Sequence, residues 1–138
     1  MQKLELPNGY YELPKGKLAN IVTCLEMTVK PEMPAASLPQ GWELRRFGAN
    51  DIADFRSLFR AIGEDIMWFS RLIMPDEKLA AILGDPQVES LTLMQNGEAM
   101  GLLELDFRDA SQAELSFFGL RKEAIGGGLG RALMNEAI

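Results

Sequence analysis

Three consecutive glycines, Gly126-Gly127-Gly128, separate two segments of different periodicity. Before them, Ala113 to Leu120 alternates Ala113, Leu115, Phe117 and Gly119 with Glu114, Ser116, Phe118 and Leu120, the period of a strand. After them, Leu129, Ala132, Leu133 and Ala137 recur at helical spacing, from a start near Gly128. A strand that passes through glycines into a helix leaves several backbone N–H groups with little side-chain cover. Such a turn suits a phosphate, because the helix dipole adds roughly half a positive charge at that end. Arg131 can add a charge-assisted contact. The plainer alternative is that the glycines only let strand and helix pack closely.

Other phosphate-binding patterns do not fit. The dinucleotide fingerprint Gly-x-Gly-x-x-Gly fails in both registers, since Arg131 or Leu133 stands where its last glycine belongs. No Gly-Lys-Ser or Gly-Lys-Thr tripeptide occurs, which disfavours a nucleoside triphosphate loop.

The elements before the turn are legible in outline. Leu18 to Val29 reads as a half-buried strand carrying Ile21, Leu25, Met27 and Val29 on one face. Prolines from Pro31 to Pro39 then predict a linker. Trp42 to Phe47 reads as a short strand, and Asn50 or Asp51 can cap a helix bearing Ile52, Phe55, Leu58, Phe59 and Ile62 on one face. Gly63 interrupts that helix, Glu64 to Leu72 makes a second helical piece, and Pro75-Asp76 opens a third that ends at Gly84. Val88 to Met94 and Ala99 to Phe107 form a hairpin around Asn96-Gly97, a pair that readily takes the positive φ angles of a tight turn. The expected division is an N-terminal extension over 1–41, with a strand and a Pro-rich linker, and one domain over 42–138.

In this order the residues resemble the GNAT N-acetyltransferases, whose coenzyme-A segment is a strand, a short loop and then Gln/Arg-x-x-Gly-x-Gly/Ala opening a helix. Gly128-Leu129-Gly130 supplies the Gly-x-Gly, and Ile125 stands where the family has Gln or Arg. The resemblance covers 42–130 and implies an α+β fold, an α/β/α sandwich with a mixed, mostly antiparallel sheet and flanking helices. It implies acetyl-CoA as the cofactor, held at the pyrophosphate by Ile125, Gly126, Gly127, Gly128, Leu129, Gly130 and Arg131. It also implies that backbone groups of Phe118, Gly119 and Leu120 bind the pantetheine arm and the acetyl carbonyl. Glu114 becomes the candidate general base, expected on one face with Ser116 and Phe118. Glu64, Asp65, Trp68 and Phe69 are expected to border the acceptor, and Glu104 and Asp106 to face a cationic one.

The implied reaction is N-acetylation by direct attack of an amine on the thioester, without a covalent enzyme intermediate. A non-catalytic acyl-CoA-binding or interaction module with a degenerate GNAT fold is the alternative, motivated by Ile125. The expected partners are a small-molecule or peptide amine acceptor and a second copy of the chain in a homodimer. Composition agrees with this range. A formal charge of −6 with no basic run argues against nucleic acid. The absence of histidine removes Ser-His and Cys-His nucleophile pairs and His-rich metal sites, and no metal ligand is expected. Cys24, the single cysteine, reads as a packing residue and fits a reducing cytoplasm. No stretch approaches the roughly 20 apolar residues that span a bilayer. The sequence stops at Ile138 inside an apolar helix, so a fold incomplete at its C-terminus is expected. The family's thiolate-protonating tyrosine would then lie beyond it, and neither Tyr10 nor Tyr11 matches it.

Overall fold

The structure, a computed structural model, describes residues 7–32 and 34–138. Two compact units divide between Lys30 and Pro31. The elements are β1 (Trp42–Arg46), α1 (Ile52–Gly63), a 3₁₀ turn (Glu64–Ile66), α2 (Ser70–Ile73), α3 (Asp76–Leu83), β2 (Val88–Gln95), β3 (Glu98–Asp106), β4 (Glu114–Leu120), a second 3₁₀ turn (Lys122–Ala124) and α4 (Leu129–Ala137). The four strands make one sheet in the order β1-β2-β3-β4, every neighbour antiparallel.

Helices cover both faces of this sheet. On one face Phe55, Leu58 and Phe59 of α1 and Leu79 and Leu83 of α3 bury against Phe47 and Leu102, with Trp68 and Phe117 packed alongside. Spacings of three and four residues put the α1 side chains on one stripe, so the helix must lie on the sheet to bury them. The rings interlock, with Phe59 4.8 Å and Trp68 5.1 Å from Phe117, both edge-on. On the other face Leu103 and Leu105 of β3 bury with Leu133 of α4. The result is the α/β/α sandwich, antiparallel throughout the described strands.

Asn96 (φ 51°) and Gly97 (φ 81°) form the two-residue turn between β2 and β3, as their positive φ angles require. Asp51 occupies the cap position of α1 but makes no cap hydrogen bond, because its carboxylate instead accepts from the N–H of Gly48 at 2.7 Å. Glu64 to Leu72 is not one helical piece. Met67 takes φ 59° and breaks it, which lets Trp68 turn inward and donate its N–H to Gly63 at 2.9 Å.

The strand expected over 18–29 does not form. Ile21 is 93% and Leu25 90% exposed, and Cys24, expected to pack, is exposed as well. An alternating segment becomes a strand only where a neighbour completes its backbone hydrogen bonds, and none is supplied among the described residues of that unit. The proline-rich stretch behaves differently: Leu38 packs beside Leu129, and Asn135 Nδ2 of α4 donates to the carbonyls of Pro34 (3.2 Å) and Ala36 (3.4 Å).

The last strand carries a bulge. Leu105 faces Leu115 and Glu104 faces Phe117, so Ser116 is an extra residue on β4. The insertion reverses the alternation beyond it. Phe117 and Gly119 point to the α1 side, and Phe118 and Leu120 to the α4 side.

Candidate functional site

The β4–α4 junction is open. Gly126 (φ 100°) and Gly128 (φ 78°) occupy the left-handed region that side chains other than glycine's resist, which is why the sequence has glycine there. Among the described residues, no atom beyond each glycine's own chain neighbours lies within 4 Å of where a Cβ would stand at Gly126, Gly127 or Gly128. The first helical bonds run from the N–H groups of Arg131 and Ala132 to the carbonyl of Gly128, at 3.1 and 3.2 Å. Among the described residues no acceptor takes the N–H of Gly126, Gly127, Gly128, Leu129 or Gly130. Arg131 is exposed and has no carboxylate within salt-bridge distance among the described residues. Ile125, 66% exposed, adds an aliphatic side chain and no donor beyond its backbone.

The adjoining strand has a free side. β4 ends the sheet, and its only strand neighbour among the described residues is β3. The N–H of Arg121 donates to the carbonyl of Met100 at 2.8 Å, and in an antiparallel ladder bonded residues alternate. Gly119 and Phe117 therefore also face β3, and the N–H and C=O of Phe118 and Leu120 point outward. Gly119 has no room for a larger residue: a Cβ there would stand 2.5 Å from Ile62 and 3.3 Å from Trp68. Lys122 donates to the Asp65 carboxylate, tying the turn after β4 to the 3₁₀ turn that follows α1. That hydrogen bond, with the charge attraction behind it, holds Asp65 below the usual carboxylate range and raises Lys122. The two lie with Arg60, Glu64, Arg121 and Glu123 around an open cleft of about 210 Å³.

Several expected site residues lie elsewhere. Glu114 is exposed at the far end of β4, and the bulge puts it on the face of Asp106 and Phe117, not of Phe118. Six residues of strand at about 3.3 Å each put it roughly 20 Å from Leu120. With Asp106, Arg108, Asp109, Ala110 and Gln112 it lines a wide surface depression. Asp106 accepts twice from Arg108 Nε, at 2.9 and 3.0 Å. Trp68 is packed in the aromatic core, whereas Phe69 is exposed.

Glu104 does not face an acceptor; it is 0% exposed. Arg71 Nη2 donates to its Oε1 at 2.5 Å and Ser90 Oγ to its Oε2 at 2.6 Å. The guanidinium also lies 5.2 Å from the centre of the Phe117 ring. Sequence reasoning passed over Arg71 and Ser90. The available signal was that Glu104 stands between Leu103 and Leu105 in a central strand, where an ionised side chain needs a partner.

The chain is thus an antiparallel sheet sandwiched by helices, with amides that lack an acceptor among the described residues where its last strand runs into a helix. No family model and no curated protein sequence matches the chain. Solved structures do. An aminoglycoside acetyltransferase, HMB0005, from an uncultured soil metagenomic sample superposes with a TM-score of 0.58 at 17% identity, over 70% of this chain and 68% of that one. An acetyltransferase from Thermus thermophilus gives 0.54 at 20% identity, over 76% and 70%. The PaiA N-acetyltransferase from Thermoplasma acidophilum, solved in complex with coenzyme A, gives 0.51 at 22% identity, over 70% and 69%. The chain has the GNAT N-acetyltransferase fold. No helix among the described residues is long and apolar enough to cross a membrane.

Proposed function

We propose that the chain binds acetyl-coenzyme A and serves transfer of its acetyl group to an amine. The observation that carries this reading is the row of unpaired amides from Gly126 to Gly130 beside the free edge of β4. A diphosphate fits the first feature, since amide donors and the start of α4 favour negative charge. An extended pantetheine amide chain fits the second, because the outward groups of Phe118 and Leu120 can pair with it as with another strand. Arg131 adds a cation beside the phosphates.

In this arrangement the amine nitrogen attacks the thioester carbon, the carbonyl oxygen takes the negative charge, and the C–S bond breaks to release the thiolate. The Leu120 N–H is the donor assigned to that oxygen. Glu114 receives the ammonium proton through a relay of waters, as it lies beyond the reach of a single bridging water. The acceptor amine approaches on the side bordered by Glu64, Asp65 and Phe69.

Calorimetric titration with acetyl-coenzyme A, followed by thioester-dependent acetylation of a panel of amines, tests the proposal. Saturable binding and turnover are expected, and absence of any binding heat sinks it. A second reading, a coenzyme-binding module without turnover, draws support from the aliphatic Ile125 and from the remoteness of Glu114; binding without product would establish it. A homodimer is proposed as well, and sedimentation decides it.

A further inference from the structure

We infer that Arg71, Glu104 and Ser90 are positioning residues that lock the bulge of β4, and so decide which of its amides face the open edge. The inference rests on the proposed use of that edge by the coenzyme. Glu104 is the β3 residue opposite Phe117, immediately past the point where the register shifts. Its carboxylate is fully buried, so it must stay on the face where Ser90 and Arg71 complete its hydrogen bonds. Arg71, held there, covers the Phe117 ring at 5.2 Å. Its Nε is buried without a partner, so the guanidinium sits where the pair and the ring require, not where its own donors are best satisfied.

Beyond the bulge the hold is weak, because Leu115 is 43% exposed and Glu114 is exposed. A slip of one residue would pair Ser116 with Glu104 and carry Phe117 to the opposite face. The outward amides would then be those of Phe117 and Gly119 in place of Phe118 and Leu120. An ionic cluster at the bulge forbids this, because the slipped state would strip the ring from the buried pair. Buried polar groups are best attested in this role of fixing register.

Amide exchange followed by NMR reads the phase of the edge directly, with no ligand present. In the parent the amides of Phe117 and Gly119 exchange slowly, and those of Phe118 and Leu120 at least about tenfold faster. Glu104→Gln leaves Arg71 buried without its counter-charge and is expected to unfold much of the population. The informative variant is therefore the apolar triple Arg71→Met, Glu104→Leu, Ser90→Ala, which removes the ionic cluster without leaving a lone charge and is expected to stay folded. In it the alternation should collapse to within about twofold, with affinity for coenzyme A falling roughly tenfold. A folded triple variant that keeps the parent's alternation overturns the inference. Should the parent show no affinity for coenzyme A, the acyl-transfer reading falls by itself, and the exchange pattern still decides whether the cluster locks the register.

Discussion

The two ends of β4 are chemically opposite. At its C-terminal end, among the described residues, the amides from Gly126 to Gly130 have no protein acceptor and Arg131 has no carboxylate partner. At its N-terminal end two nearby acids have found donors: Asp106 takes Arg108, and Asp109 takes the hydroxyl and the N–H of Ser111 at 2.7 and 2.8 Å. Polar groups satisfied internally gain little from a ligand, whereas unpaired donors gain a full set of hydrogen bonds. The wider surface depression lies at the acidic end, yet the amides without acceptors among the described residues lie at the glycine end. Shape alone points to one end and hydrogen-bonding chemistry to the other.

Gly128→Val tests that contrast most severely. Its φ of 78° strains any branched residue, and the new side chain would stand in the open space over the unpaired amides. Loss of acetyl-coenzyme A affinity by roughly a hundredfold is expected, combining left-handed strain with obstruction of the donors. Titration calorimetry measures it, and unchanged affinity would remove the glycine end from consideration. Ile125→Arg sharpens the same end in the opposite direction. The side chain is exposed, so the change is tolerated, and a guanidinium beside the diphosphate should tighten binding about tenfold, with a steeper salt dependence than the parent's.

Glu114→Gln probes the far end. A base in direct contact contributes factors of about 10² to 10⁴, and a carboxylate some 20 Å along the strand from Leu120 can contribute only through solvent. Steady-state kinetics should show kcat reduced by roughly tenfold or less, with coenzyme affinity unchanged. A thousandfold drop would mean that the acetyl group lies nearer Phe117 than Leu120 and would move the reacting centre along β4.

How legible this was in the sequence depended on whether the determinant was local. The Asn96-Gly97 hairpin and the strand–glycine–helix join were readable because each rests on φ preferences of its own residues. The stripe on α1 was readable from spacing alone. The bulge was not, because a bulge is a property of how two strands pair, β3 with β4, and not of the residues of β4 alone. That error placed Glu114 beside Phe118, and it hid the partnership of Glu104 with residues 33 positions earlier (Arg71) and 14 earlier (Ser90). The segment 18–29 failed for the converse reason, since its alternation states what it can do with a neighbour and says nothing of whether one is present. Glu104 and Asp106, expected to face a cationic acceptor, proved one buried and one paired with Arg108.

The smallest effect is expected at the acidic end as the pH falls. The Arg108 hydrogen bond, ahead of a smaller opposing effect of burial, holds the Asp106 carboxyl below the usual range. A depressed folded value stabilises the native state above the unfolded value near 3.8, and that contribution is lost as pH drops through the folded one. Arg108 is raised in turn, but its stabilisation is complete below the ordinary arginine range and adds no slope in the working range. With Arg108 44% exposed, solvent screening limits the pair to about 0–1 kcal/mol. Asp106→Asn should therefore remove only a shallow part of the acid limb, seen as a smaller fall in Tm between neutral pH and pH near 3, and leave acetyl-coenzyme A affinity as it was. A change in that affinity would join the two ends of β4 into one site, since the carboxylates at Asp106 and Glu114 would then be acting on the same bound molecule as the glycine amides.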